Sequence, residues 1–242
     1  MKYQNCVLAR FVNRDNRFVA RARLVDGKEV VVHVKNTGRG KEVLLPDAWV
    51  SLNYCPSPKR KTDYDLVAVK KGNQWINLDS QLPNHLAYEG LKSGKIVLPG
   101  IKGELTLLKP EVKYETSRFD LYYETDQEEK GFVEVKGLTL ENLGIGAFPD
   151  APTLRGQKHV LELTDSQKAG FKSYVLFIVQ FEHLQLATIH SEMQPSLRDA
   201  LDAAQKSGVQ VLAYNCQVTP ECVTVKEAIP FDLDYPFVDP NQ

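Results

Sequence analysis

Cysteine is scarce in this chain of 242 residues, and its four copies, Cys6, Cys55, Cys216 and Cys222, never stand in a CxxC pair. Paired thiols at that spacing are what structural zinc sites are built on, so a zinc ribbon or finger is excluded. The four read as reduced thiols of a cytoplasmic protein, with a Cys216–Cys222 bridge as the alternative. Long apolar runs are missing as well. No segment approaches the ~20 residues of a membrane-spanning helix, and Met1 to Asn5 carry no apolar leader core. A membrane is therefore not an expected partner. There is no GxGxxG and no GxxxxGK[ST], which removes the glycine-cradled phosphate sites of dehydrogenases and P-loop kinases. A helix-turn-helix is missing too, because residues 197–207 are followed by Gly208 and then by the strand-like Val209-Gln210-Val211-Leu212. The five histidines are scattered, and only His33 and His159 sit near other polar candidates.

Charge of one sign is lacking overall, since the formal net charge is −1. The average hides a division. Residues 1–82 hold 15 Lys and Arg against 8 Asp and Glu, whereas residues 83–242 hold 15 against 23. A first part at +7 and a second at −8 point to nucleic acid on the basic side. A solvated surface with a chance bias would give the same counts.

The basic part reads as five short strands, at 6–11, 17–24, 29–34, 49–54 and 64–70. Asn13-Arg14-Asp15-Asn16 and Asp26-Gly27 supply the turns between the early ones. Asn36-Thr37-Gly38-Arg39-Gly40-Lys41 is a loop whose glycines let backbone N–H groups come close to a ligand. Five strands with the longest excursion after the third match an OB-type barrel, a fold that holds nucleic acid through basic and aromatic side chains. Arg17, Arg21, Arg23, Arg39 and Lys41 are the expected phosphate contacts. A boundary is expected at 82/83, giving a basic barrel over 1–82 and an α/β unit over 83–242.

Beyond the boundary the pattern becomes mixed. Helices are expected at 84–91, 154–163 and 195–207, with Thr153 as N-cap of the second. Strands are expected at 105–108, 112–114, 118–123, 132–138, 174–180 and 209–214, and the tail from Pro230 reads as irregular. The continuous apolar run 174–180 suits a strand buried on both faces. The second helix places Arg155, Lys158 and His159 together at i, i+3 and i+4.

One stretch organises this half. Residues 118–123 and 132–138 form a hairpin about the polar turn 124–130. Alternation sends Glu134 and Lys136 to one side, roughly 6–7 Å apart along the strand, and the neighbouring strand brings Asp120 beside them. Two carboxylates and a lysine at one spot are what metal-assisted phosphodiester hydrolysis needs. Carboxylate oxygens are hard ligands suited to Mg²⁺ or Mn²⁺, and a lysine can stabilise charge that develops on the phosphoryl group. The same three residues also suit a half-exposed hairpin with cross-strand ion pairs.

Several stretches in fixed order carry a resemblance. They are Arg17-Phe18, His33-Val34-Lys35-Asn36-Thr37-Gly38-Arg39, Val112-Lys113-Tyr114, Ser117-Arg118-Phe119-Asp120, Val133-Glu134-Val135-Lys136, Phe148-Pro149-Asp150-Ala151, and Arg155-Gly156 with Lys158-His159. With them the chain resembles the bacterial and archaeal sugar fermentation stimulation protein family over nearly its whole length. The resemblance implies an OB-fold joined to a PD-(D/E)xK nuclease-type α/β domain with a mixed central sheet. It also implies DNA binding linked to the regulation of sugar (maltose) metabolism. Asp120, Glu134 and Lys136 match the nuclease-type motif, and Glu89 is matched to the helix acid of such folds, making Asp120, Glu134 and Glu89 the implied metal ligands. Arg118, Arg155, Lys158 and His159 are implied phosphate contacts. Phe119 replaces the motif's proline, and residues 187–195 depart from the family pattern. Three functions remain open: largely sequence-independent DNA binding with a divalent-metal site, an active Mg²⁺- or Mn²⁺-dependent nuclease, and a regulator with a vestigial pocket. RNA stays open as a partner, and a homodimer would reach both strands of a duplex.

Overall fold

The computed structural model describes residues 1–36 and 38–241; Thr37, in the glycine loop, and Gln242 lie outside the described residues. Six strands open the chain: β1 (Cys6–Arg14), β2 (Val19–Leu24), β3 (Glu29–Val34), β4 (Trp49–Tyr54), β5 (Tyr64–Lys71) and β6 (Gln74–Asn77). They run in the order β3-β2-β1-β4-β5-β6, and a parallel pairing of β3 with β5 closes the first five into a barrel. Period-two alternation builds the barrel wall: in β2, Ala20 and Ala22 are buried while Arg21 and Arg23 face out. Asp26-Gly27 makes the β2–β3 turn, with Gly27 at φ +89, where a side chain would be strained. Arg17 is not on a strand, because β2 begins at Val19; it lies in the turn before it and shares no strand face with Arg21 and Arg23.

The rest of the described chain is α1 (Leu82–Lys92), β7 (Leu105–Tyr114), β8 (Ser117–Thr125), β9 (Lys130–Leu138), β10 (Leu140–Asn142), β11 (Ile145–Phe148), α2 (Leu154–Lys168), β12 (Lys172–Val179), β13 (Leu186–Ile189), α3 (Pro195–Lys206), β14 (Gln210–Val218) and β15 (Val223–Ile229). The main sheet runs β15-β14-β12-β9-β8-β7, with β9, β12 and β14 parallel and the outer strands antiparallel. Both faces of its centre are covered. Leu86, Ala87 and Leu91 of α1 join Val133, Val135, Leu176 and Ile178 on one face. Val160 and Leu163 of α2 and Leu197 and Leu201 of α3 join Phe132, Val175 and Phe177 on the other. Double coverage is why β12 reads as an unbroken apolar run.

The barrel and the main sheet share an interior, for Val32, Leu52 and Leu66 of the barrel belong to the same buried cluster as Phe177 and Leu201. A polar seam completes the junction. Asn77 Nδ2 donates to Val67 O at 2.8 Å, Gln180 Nε2 donates to Asn77 Oδ1 at 2.7 Å, and Lys35 Nζ donates to Asp79 Oδ2 at 2.5 Å. The first residues return to the far edge of the main sheet, where Lys2 bridges Cys222 and the Met1 amine donates to Val223 O at 2.6 Å.

Several features differ from expectation. β7 is one strand running through Pro110, which an edge strand tolerates because that residue owes no inward N–H. α1 starts two residues early, with Pro83 in its first turn. A small sheet β10-β11-β13 and the edge strand β15 were not expected. All four cysteines are free, in keeping with the reduced-thiol reading, and the alternative bridge between Cys216 and Cys222 is not formed. Among the described residues no helix is long and apolar enough to cross a membrane.

Candidate metal and nucleic-acid site

The β8–β9 ladder runs from the Glu124–Lys130 pair to Leu121–Val133 and stops there. Past its end the Asp120 side chain takes over from the backbone: Oδ2 accepts the Val135 N–H at 2.8 Å, and Oδ1 accepts Asn84 Nδ2 from the first turn of α1 at 2.7 Å. Glu134 lies on the face of β9 that α2 covers and is only 1% exposed. Lys136, two residues on and on the same face, donates from Nζ to Glu134 Oε1 at 2.5 Å. His159, in the second turn of α2, presents Nδ1 to that same oxygen. Arg155, one turn earlier, donates from Nε to His159 Nε2 at 3.5 Å. With Nε2 accepting, Nδ1 carries the proton and donates it to the carboxylate. Both donors converge on Oε1, which leaves Glu134 Oε2 buried with no partner among the described residues.

The two carboxylates are pushed apart electrically. Burial, and then the charge of Glu134, raise the Asp120 carboxyl from its ordinary 3.8 to about 6. Burial pushes Glu134 up as well, but the charge of Lys136 and the hydrogen bonds from His159 and Lys136 outweigh it and hold the group below its ordinary value. Glu134 is thus the more readily ionised of the two, while burial and the charge of Glu134 oppose a charge on Asp120.

The structure brings together Asp120, Glu134, Lys136, His159 and Arg155 from the expected set. Glu89 is not among them: it is exposed, and lies about 140° further round α1 than Asn84. Its place beside Asp120 is taken by Asn84, a neutral donor where an acid was expected. Lys158 points outward to Glu162 at 3.6 Å, and Arg118 is exposed on β8. On the barrel, Arg21 is taken up by Asp15 at 3.1 Å and Glu29 at 3.6 Å, and Arg23 is exposed beside it on β2. Arg17, Arg39 and Lys41 instead line one cleft of about 610 Å³, and Arg14 lines it with them. Sequence reasoning gives Arg14 only a place in a turn. Its guanidinium gathers the loop, donating to the carbonyls of Arg17, Asn36, Gly38 and Arg39 at 2.7–2.9 Å. A lone arginine between Asn13 and Asp15 offers no sequence signal for that role.

A family model described as the sugar fermentation stimulation protein RE domain matches residues 81–222, and one described as the SfsA N-terminal OB domain matches residues 12–78. The chain belongs to the sugar fermentation stimulation protein family. A homologue of that name from Enterococcus mundtii is 56% identical over 241 residues, covering 100% of both chains. One from Clostridium beijerinckii is 43% identical over 229 residues, covering 95% of this chain and 98% of the relative. The solved structure of Pyrococcus furiosus SfsA in complex with Ca²⁺ superposes with a TM-score of 0.83 at 23% identity, covering 96% of this chain and 98% of that one. The family's fold therefore extends over this whole arrangement of barrel and mixed sheet.

Proposed function

We propose that the chain is a DNA-binding protein that grips the phosphate backbone without reading sequence and holds a divalent cation between Asp120 and Glu134. In this reading residues 1–82 form the gripping unit and residues 83–242 carry the cation pocket. The observation that carries it is Glu134 Oε2, a buried carboxylate oxygen without a partner among the described residues. Such an atom is costly to leave bare. Beside it stands Asp120, whose ionisation is opposed by its burial and by the charge of Glu134. A cation satisfies both, and two carboxylates are the hard oxygen donors that Mg²⁺ or Mn²⁺ takes while keeping waters. The Ca²⁺ held by the Pyrococcus furiosus relative is of the same chemical kind. Once bound, such an ion polarises a phosphoryl oxygen and acidifies a water. Asn84 and the Val135 N–H fix the Asp120 carboxylate, while Lys136 and His159 fix Glu134 by its other oxygen. Arg17, Arg39 and Lys41 supply the phosphate grip. The link with sugar use comes from the family's name.

An active Mg²⁺- or Mn²⁺-dependent nuclease is the second reading, favoured by the Lys136 ammonium at 2.5 Å from Glu134, where it can stabilise charge on a phosphoryl group. One set of measurements tests both. Calorimetric titration of metal-free protein with Mn²⁺ should show one site that Glu134→Gln removes, and duplex binding should weaken steeply with salt. Mn²⁺ heats unaltered by Glu134→Gln would overturn the cation pocket. Plasmid nicking with metal, abolished in Lys136→Ala, would establish the nuclease; nicking that persists in Lys136→Ala and Asp120→Ala would reject it.

A further inference from the structure

The basic cleft has an inner chamber that a phosphate grip alone does not use. Besides the outer space of about 610 Å³, an inner one of about 260 Å³ reaches down to Gly137 and Gln180. The two share Arg17, Gly38, Ala151 and Pro152, so they form one recess, of a size usual for small-molecule sites. Its lips are pinned. Asp150 Oδ2 accepts the Gly40 N–H at 3.0 Å, and a Cβ on Gly38 would run into Asp150 Oδ2 and lie 2.9 Å from Asn36 Oδ1.

The chemistry of the recess changes with depth. At the rim stand Arg17, Arg39 and Lys41, and no ion pair among the described residues involves them, unlike Arg21 and Lys158. Inside, Phe148 and Pro149 give an apolar wall. Polar atoms also reach the inner chamber: Asn36 Oδ1 is spent on the Gly38 N–H and Gln180 Nε2 on the junction, while Asn36 Nδ2, Gln180 Oε1 and the Thr139 hydroxyl have no partner among the described residues. Unpaired cations outside suit a phosphate. An apolar wall in the same chamber as an unpaired amide donor, an amide acceptor and a hydroxyl suits the face and edge of a nucleobase.

We infer that this cleft takes a single nucleotide unit, with its phosphate on Arg17, Arg39 and Lys41 and its base in the inner chamber against Phe148 and Pro149. In a polymer that unit is a residue turned out of its stack, a form of the inference that rests on the DNA-binding reading. A free nucleotide presents the same chemistry. Turning a base out costs least where it is already unpaired, so a duplex with one bulged nucleotide is the favoured polymer.

The test uses the full chain in EDTA. It is titrated with the four deoxynucleoside monophosphates, their nucleosides and inorganic phosphate, and with two short duplexes identical except for one bulged nucleotide. At least one monophosphate should bind about tenfold tighter than both phosphate and its own nucleoside, and the bulged duplex about tenfold tighter than the paired one. Thr139→Val, nearly isosteric and checked by melting, should shrink both ratios, whereas Arg17→Ala should weaken every phosphate-bearing ligand. Monophosphates no tighter than phosphate, with both duplexes bound equally, would overturn the inference and leave DNA binding standing. Monophosphates bound while neither duplex binds would support the pocket for free nucleotides and refute DNA binding. Failure of every ligand would end both.

Discussion

The Asp120 carboxylate accepts the main-chain N–H of Val135 at 2.8 Å, two residues past the last β8–β9 ladder pair. A side chain thus finishes what the backbone stops doing, and an acidic oxygen is placed at the point where β9 carries Glu134 and Lys136. That placement has an energetic cost in the metal-free protein.

Asp120→Asn should stabilise the metal-free chain. The folded carboxyl titrates near 6 and the ordinary one at 3.8, so the folded state binds the proton more tightly. Wild-type stability from this group is therefore full at low pH, falls as pH rises from about 4 to about 6, and stays low above that. The variant should gain about 1–3 kcal/mol over wild type at neutral pH and nothing below pH 4. Urea melts in EDTA across pH read the difference, and a gap that does not open between those values refutes it.

Glu134→Ala should act in the opposite direction, although it also removes a carboxylate from the same pocket. It leaves the Lys136 ammonium beside a buried void without its counter-charge and His159 Nδ1 without its acceptor, at a cost of about 3–5 kcal/mol. Denaturant midpoints compared with Asp120→Asn test the pair: a shared sign would mean the two acids are not held in different charge states.

Divalent cation should raise the melting temperature by mass action. At a hundredfold excess over its dissociation constant the gain is about 2.7 kcal/mol. Chelation should reverse it, and Asp120→Asn, already relieved of its charge, should gain far less. Scanning calorimetry with Mg²⁺, Mn²⁺ and EDTA decides.

Among the barrel arginines, Arg17 and Arg39 should matter for DNA and Arg21 should not. Removing one cation that neutralises a phosphate lowers the slope of log affinity against log salt by about 0.9. Arg17→Ala and Arg39→Ala should each flatten the slope by that amount, while Arg21→Ala, already neutralised by Asp15 and Glu29, should leave it unchanged. Filter binding over a salt series separates them.

The sequence shows most of this fold where periodicity is strong. The barrel strands, the β8–β9 hairpin and the doubly covered β12 all follow from alternation or from an unbroken apolar run. The small sheet escapes such reading because its turn breaks the usual chemistry: Leu143 and Gly144 both have positive φ, at 52° and 80°, and leucine seldom takes that conformation. Strands of three and four residues on either side give no period to read. In the candidate site, alternation along β9 puts Glu134 and Lys136 on one face, a local fact. Which residue of α1 meets Asp120 depends on how the helix is rotated against the sheet. That is tertiary, and it favours Asn84 over Glu89. Helical spacing groups His159 with Arg155 and Lys158 as a phosphate contact; its burial against Glu134 depends on how α2 seats on β9.

The rung that Lys2 makes with Cys222, and the Met1 amine's bond across 222 positions to Val223, bear on how the chain is made. At 5–20 residues per second, a ribosome leaves that first segment waiting roughly 10–45 s for its mate. The nascent barrel emerges early yet stays unlatched until β15 has been made, which leaves residues 1–3 a natural foothold for a chaperone or a protease during that interval.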